Sequence, residues 1–156
     1  MKTAICLVFL APLSFTFACL WDRDTLADEA KLRPEIFDVI TGQVPHHGDA
    51  YYEARIKQLA GKTDQDDDPF LARNDLAVAY IRIREFDKAH EILTRNLAEK
   101  PGDYFTISNL GVLEKKRGNY SAAAEHIEKA LSIRSEGHLG IGDWYLKMIE
   151  FRAATE

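Results

Sequence analysis

Length, composition and charge place the chain among ordinary globular proteins. It has 156 residues, of which 46% are apolar and 29% charged. The length is enough for one domain with a core, and the composition is too apolar for a disordered chain. The formal net charge is -5. Because an acidic chain has no basic field to hold a nucleic acid backbone, no nucleic acid partner is expected.

Residues 1–18 differ from the rest of the chain and are typical of a secretory signal peptide. Lys2 provides a positive start, an apolar stretch follows, and Thr16 and Ala18 supply small residues for a signal peptidase. A membrane anchor is the alternative, but Pro12 interrupts an apolar run that is only marginally long enough to span. The sequence therefore predicts an exported protein, which is periplasmic, tethered to the outer membrane or secreted.

Removal of residues 1–18 would make Cys19 the first residue of the mature protein. It would also leave Cys19 as the single cysteine, because Cys6 lies in the leader. A lone cysteine forms no intramolecular disulfide, so packing must hold the fold together. A bacterial lipoprotein carries its lipid on such a cysteine, although Thr16 and Phe17 depart from the residues that usually precede it. Lipid attachment at Cys19 and plain secretion both stay open. A membrane contact is expected only through that lipid or through an uncleaved leader.

A 34-residue repeat occupies the middle of the chain. The stretches that begin at Phe70 and at Tyr104 align without a gap. The register pairs Leu76 with Leu110, Ala77 with Gly111, Phe86 with Tyr120, Ala89 with Ala123, and Leu93 with Ile127. In both units a small residue follows the leucine and permits close helix approach, and the second half has apolar residues three and four apart. The pattern predicts two helical hairpins.

This order of leucine, small residue, tyrosine, aromatic residue, alanine and proline resembles the tetratricopeptide repeat (TPR) family. The first unit has Asn96 where a second alanine is usual, and the second has Glu114 and Ser135 where tyrosine and proline are usual. The resemblance covers residues 70–135. It implies an all-α solenoid of helical hairpins in which the first helix of each hairpin lines a concave face.

The flanks of the repeats are predicted to complete the solenoid, because each hairpin needs neighbours. We divide the chain into a signal peptide (1–18), a degenerate N-terminal helical hairpin with an acidic loop (19–69), two TPR-like repeats (70–136) and a C-terminal capping helix (137–156). The stretches "CLWDRDTL", "VITGQ" and "YYEARI" also resemble little-characterised bacterial envelope proteins that carry these repeats behind a leader. That second resemblance implies export but no known activity.

The acidic loop "TDQDDDPF" has the alternating aspartates of a calcium loop at Asp64, Asp66 and Asp68. The next position of such a loop needs a glycine with positive φ, and here it holds Pro69, whose ring forbids that conformation. The sequence instead predicts that Asp68 caps a helix that begins at Pro69.

Neither a metal, a cofactor nor a catalytic centre is expected. His46, His47 and Asp49, with Asp22 and Asp24 upstream, are residue types that bind zinc. However, adjacent histidines in an extended loop point in opposite directions, and no paired spacing of metal ligands supports them. No nucleophile or phosphate-binding motif is present. A metal-binding or enzymatic protein that uses these N-terminal residues stays the alternative.

Binding of a protein or peptide partner is the predicted function, as a scaffold or adaptor at the bacterial cell envelope. The predicted partner-binding residues are Leu71, Asn74, Val78, Arg82, Phe105, Ser108, Val112, Lys115 and Lys116. Apolar walls with cations at one end suit an extended peptide or an acidic tail. Two alternatives stay open: the protein's own N-terminal segment fills the groove, or the protein self-associates through exposed terminal helices.

Overall fold

The computed structural model describes residues 47–137 and 140–155, and this part of the chain consists of helices and turns without strands. In chain order the elements are α1 (Asp49–Leu59), a short 3-10 helix (Thr63–Gln65), α2 (Pro69–Arg82), α3 (Phe86–Glu99), α4 (Tyr104–Arg117), α5 (Tyr120–Ile133) and α6 (Gly142–Thr155). The prediction of an all-α fold is confirmed. The leader, Cys19 and the first helix predicted for the N-terminal hairpin lie outside the described residues.

The helices stack in the order of the chain. Each helix from α1 to α5 packs against the helix that follows it, and α2 also contacts α4. Short connections at 83–85, 100–103 and 118–119 join the central helices, so successive helices run antiparallel. Contacts confined to neighbouring hairpins are the hallmark of a helical solenoid. Within residues 47–137 and 140–155, none of the helices has the length and apolar character needed to cross a membrane.

Aspartate caps begin the first helix of both hairpins. The side chain of Asp68 accepts a hydrogen bond of 3.0 Å from the backbone N–H of Leu71, and Pro69 occupies the first helical position. Asp103 accepts the equivalent bond, 2.9 Å long, from the N–H of Thr106. The predicted cap at Asp68 is confirmed. It explains the acidic loop as a helix start, because a carboxylate there satisfies a backbone donor that the helix leaves unpaired.

The first helices of both hairpins also end with the same backbone motif. Arg84 (φ 66°) and Gly118 (φ 87°) occupy the left-handed region just after α2 and α4. Backbone hydrogen bonds close the turns, from Arg84 to Ile81 (3.2 Å), Glu85 to Tyr80 (2.9 Å), Gly118 to Lys115 (3.1 Å) and Asn119 to Glu114 (2.9 Å). This is the Schellman arrangement, in which glycine is the favoured residue. Arg84 therefore holds a conformation that costs an L-residue with a side chain about 1 kcal/mol or more.

Replacement of Arg84 by glycine is expected to stabilise the protein. The substitution removes the strain of the left-handed backbone, and part of that gain is lost to the greater freedom of glycine in the unfolded chain. We expect the free energy of unfolding to rise by about 0.5–1 kcal/mol in urea denaturation. Gly118→Ala, the converse change in the second hairpin, should lower it by a similar amount. A less stable Arg84→Gly variant would contradict the strain argument.

The apolar core lies between the helices of each hairpin and between hairpins. Ala89, Leu93, Ala123 and Ile127 are fully buried on α3 and α5. The small residue predicted for close helix approach is confirmed at Gly111, because a Cβ atom added there would lie 2.6 Å from Cδ1 of Ile127. On the C-terminal side, Tyr145 and Ile149 of α6 join the same core.

A buried chain of hydrogen bonds connects the two hairpins. The amide nitrogen of Asn109 on α4 donates to the side-chain oxygen of Asn74 on α2 (3.1 Å). The amide nitrogen of Asn74 donates to the hydroxyl of Thr106 (3.0 Å), which in turn donates to the carboxylate of Asp103 (2.7 Å). Lys100 completes the series with an ion pair of 3.0 Å to Asp103. We call these five residues the polar ladder.

Two departures from the repeat pattern have structural reasons. Asn96, where alanine is usual, is fully buried and donates a hydrogen bond of 3.0 Å to the backbone carbonyl of Phe70 in the first turn of α2. Glu114, where tyrosine is usual, accepts hydrogen bonds from Asn119 (2.7 Å) and Arg117 (3.2 Å). Both polar residues therefore tie a helix to an adjoining helix end or turn.

Acid is expected to weaken the fold through Asp103. Burial raises the pKa of this carboxyl, but hydrogen bonds from Thr106 and the Lys100 ammonium together bring the pKa below its ordinary value of 3.8. A carboxyl with a lowered pKa stabilises the fold above the unfolded-state pKa and loses that contribution as pH falls through the folded-state pKa. The free energy of unfolding should thus fall below about pH 4. Asp103→Asn should flatten this slope, and an unchanged slope would exclude Asp103 as its source.

Candidate functional site

The nine predicted partner-binding residues divide into two groups by exposure. Four are buried: Asn74, Val78, Ser108 and Val112. Five reach the solvent at least in part: Leu71, Arg82, Phe105, Lys115 and Lys116. Val78 and Val112 belong to the apolar core, and Asn74 belongs to the polar ladder. The partner-binding role of all nine residues stays a prediction, and the five accessible ones are those that a partner reaches without rearrangement of the fold.

The accessible residues lie at the two ends of α2 and α4. Leu71 and Phe105 stand in the first turns, whereas Arg82, Lys115 and Lys116 stand in the last turns. At 1.5 Å per residue, the distance along α2 from Leu71 to Arg82 is about 16 Å. An extended segment of about five residues has the same length at roughly 3.3 Å per residue. One short partner segment could therefore contact both ends.

The apolar end is held by aromatic and cationic contacts. The rings of Tyr104 and Phe105 meet edge to face with centroids 5.4 Å apart. The guanidinium carbon of Arg134 lies 5.0 Å from the Tyr104 ring and 5.7 Å from the Phe105 ring. These contacts fix the position of Phe105 and leave it partly accessible, as Leu71 is in the preceding hairpin.

The other end opens into a cavity of about 460 Å³. Its walls are His47, Asp49, Tyr52, Ile81, Arg82, Arg84, Phe86 and Lys116. The start of α1, the turn between α2 and α3, and the last turn of α4 meet here. We call this space the cationic cavity, because three of its lining side chains are arginine or lysine.

Arg84 is the cation of this cavity that the repeat pattern did not predict. The sequence does contain a signal for this residue: the 34-residue register places Arg84 at the turn position that Gly118 occupies in the second hairpin. Arg82 lies against the ring of Tyr52, with its guanidinium carbon 5.6 Å from the ring centroid. Loss of hydration at the cavity wall lowers the pKa of Lys116, and the positive charges of Arg82 and Arg84 lower it further. Much of the Lys116 side chain nevertheless reaches the solvent.

The acidic loop takes part in a network of ion pairs with arginines of α2 and α3. Asp64 lies 3.2 Å from the guanidinium of Arg73 and 3.2 Å from that of Arg95. Glu99 pairs with the same two arginines at 2.8 Å and 3.0 Å. Hydrogen bonds from Arg73 and then Arg95 lower the pKa of Glu99. These contacts tie the loop and α3 to the buried Arg73.

The residues proposed for a metal site are only partly placed. The ring of His47 stacks on Tyr51 with centroids 3.7 Å apart, and Asp49 begins α1. His46, Asp22 and Asp24 lie outside the described residues. Between residues 47 and 137 and between 140 and 155, no three histidine, cysteine, aspartate or glutamate side chains are grouped as a metal site requires.

Comparison with known proteins gives a match to the second hairpin. Residues 106–138, which include most of α4 and all of α5, match the family model described as Tetratricopeptide repeat. No curated protein and no solved structure gives a significant match to the chain. Such a repeat supports a general role as a scaffold for protein–protein interaction. The tetratricopeptide repeat predicted from the register is confirmed for residues 106–138, so the chain carries a repeat of this kind.

Proposed function

We propose that this protein is an exported adaptor that binds a partner protein through the accessible ends of α2 and α4. The observation that carries the proposal is that α2 packs against α4, the first helix of the next hairpin. Leu71 and Arg82 stand in the first and last turns of α2, and at 3.6 residues per turn they lie on one side of that helix. Repeats of this kind recognise a partner by a surface assembled from neighbouring units. An apolar contact at one end and cations at the other suit a short peptide segment.

Site-specific photo-crosslinking tests this face. A photoreactive amino acid is placed at Leu71 or at Phe105, and as a control at Glu128, which is exposed on α5. Crosslinking is done in the native host, and the adducts are identified by mass spectrometry. We expect the same partner protein from positions 71 and 105 and not from position 128. Equal capture from all three positions would contradict a partner-binding role for this face.

The envelope setting rests on the leader sequence. Residues 1–18 have the features of a cleaved signal peptide, and Cys19 follows them. The intact mass of the chain isolated from its native host tests this part of the proposal. A mass that starts at Cys19 and includes a lipid would indicate a membrane-tethered adaptor, whereas a bare chain would indicate a periplasmic or secreted one. An uncleaved chain would overturn the proposed export by signal cleavage.

Self-association is a second candidate function, favoured by the surface of α6. Trp144 is 78% exposed and Phe151 is 67% exposed. They stand seven residues apart, so they share one side of the helix. Light scattering over a dilution series tests this candidate. A dimer that dissociates on dilution, and that is lost in a Trp144→Ala/Phe151→Ala variant, would favour it over a monomeric adaptor.

A further inference from the structure

Three cations converge in the cationic cavity of a chain that is acidic overall. Arg82 comes from the end of α2, Arg84 from the following turn and Lys116 from the end of α4. None of the three forms an ion pair with a carboxylate in the part of the chain that the structure describes. Elsewhere in that part, Arg73, Arg95 and Arg117 all pair with acids at 2.7–3.2 Å. Among the described residues, the cavity therefore holds more positive charge than its one lining carboxylate, Asp49, can offset.

Without a bound anion, this group of cations destabilises the folded protein. Desolvation lowers the pKa of Lys116, and repulsion from the neighbouring charges of Arg82 and Arg84 lowers it further, so the charged form of this lysine is disfavoured here. The Nε of Arg82 is buried and has no hydrogen-bond acceptor among the residues that the structure describes. A buried donor of this kind loses its hydrogen bonds to water without forming one within the protein, which costs free energy. An incoming oxyanion would relieve both costs.

The conformation of Arg84 adds an independent argument. Its φ of 66° belongs to the glycine-favouring position of the turn, where the second hairpin does have Gly118. Backbone strain of this kind is typically retained at functional sites, where the residue serves a purpose other than stability. At this position the purpose is charge, because the strained turn places Arg84 in the cavity wall, where its positive charge acts on Lys116.

The other walls of the cavity indicate the kind of anion. Tyr52, Ile81 and Phe86 are apolar or aromatic, and Asp49 contributes a carboxylate. Three cations and one acid leave a formal charge of about +2, which suits one or two carboxylates. Guanidinium groups bind carboxylates through paired hydrogen bonds. The volume of about 460 Å³ falls within the usual range of roughly 300–1,000 Å³ for ligand pockets.

We propose that the cationic cavity anchors an acidic peptide segment of the partner by its carboxylates. The inference rests on the proposed function as a protein-binding adaptor and specifies the chemistry of the partner. The apolar walls accept the aliphatic stems of glutamate side chains, and the cations bind their carboxylates. The same segment could extend along α2 toward Leu71, since about 16 Å separates the two ends of the face.

Fluorescence anisotropy with the purified full chain tests the anchor. The probe is a dye-labelled, end-blocked hexaglutamate, with hexaglutamine as the uncharged control, at about 150 mM salt. We expect hexaglutamate to bind at least tenfold more tightly than hexaglutamine. Arg84→Gly should weaken hexaglutamate binding about tenfold, because each cation lost removes a charge-assisted contact. Since the same variant should be more stable than the wild type, unfolding cannot be the cause of weaker binding. Lys116→Gln should also weaken binding.

Lys129→Gln is the matched control, because it removes one positive charge from an exposed position on α5 outside the cavity. Lys129→Gln should weaken hexaglutamate binding less than twofold. If it weakens binding as much as Arg84→Gly does, binding depends on the overall charge of the protein and not on the cavity, and the proposal is overturned. Equal binding of hexaglutamate and hexaglutamine would overturn it as well. Displacement of the peptide by inorganic phosphate at the same concentration would indicate a small-oxyanion site and would also overturn it. If hexaglutamate does not bind but Leu71 still crosslinks to a partner, the adaptor function stands and the acidic anchor alone fails.

Discussion

Replacement of Gly111 by alanine is expected to lower the free energy of unfolding by about 1–2 kcal/mol. The added methyl group would lie 2.6 Å from Cδ1 and 2.7 Å from Cγ1 of Ile127, and 3.3 Å from the backbone oxygen of Ala123. Ile127 is fully buried, so its side chain must shift against the surrounding core to admit the methyl group. Overpacking of this kind costs about 1–3 kcal/mol, of which the higher helix propensity of alanine offsets up to about 1 kcal/mol.

Urea denaturation of a double-mutant cycle measures the clash directly. Ile127→Ala alone should cost about 2–5 kcal/mol by leaving a cavity. In the double variant the new methyl at position 111 enters that cavity, so the two costs should fail to add by about 1 kcal/mol or more. Gly102→Ala is the control, because a Cβ there meets nothing within 4 Å. Additive costs at 111 and 127 would refute the close-packing explanation of this glycine.

Replacement of Asn74 by alanine is expected to cost about 2–3 kcal/mol, the larger of the two effects. The change removes the acceptor for the amide of Asn109 and leaves that donor buried without a partner. It also removes the bond from Asn74 to Thr106 across the hairpin interface. A buried polar group that loses its partner costs about 1–3 kcal/mol, and the vacated volume adds to this.

Asn109→Ala and the double variant with Asn74→Ala provide the control for this second effect. When both partners are apolar, no amide donor is left orphaned, so the double variant should be more stable than the sum of the single losses predicts. Thermal and urea denaturation both report the difference. A cost below about 0.5 kcal/mol for Asn74→Ala would mean that the polar ladder contributes little to stability.

The sequence predicted those features that depend on contacts within one hairpin. The 34-residue register gave the helices, since Leu93 and Ile127 occupy equivalent, fully buried positions. The cap at Asp68 and the close approach at Gly111 were also predictable. Capping needs only a carboxylate three residues before a backbone donor, and close approach needs only a missing side chain opposite a large one.

The accessible surface depended on how hairpins stack, which no local pattern records. Ser108 and Val112 have the spacing of a solvent-facing stripe, yet both are buried in the stacked helices. Arg84 is an ordinary loop arginine in the sequence. It becomes part of a site only because the turn after α2 lies beside the end of α4, which brings it to the same cavity as Lys116. Charge convergence across more than thirty residues is a tertiary property.

The polar ladder has a mechanical consequence for a stack of helices. Apolar surfaces let one hairpin slide or tilt over the next at little cost, whereas hydrogen bonds are directional and fail when donor and acceptor move apart. The bonds from Asn109 to Asn74 and from Asn74 to Thr106 therefore fix both the spacing and the angle between hairpins. In a one-dimensional array of repeats, a strong interface between units sets the cooperativity of unfolding. We therefore expect the ladder to make the two repeats unfold as one unit and to hold the angle between their first helices constant.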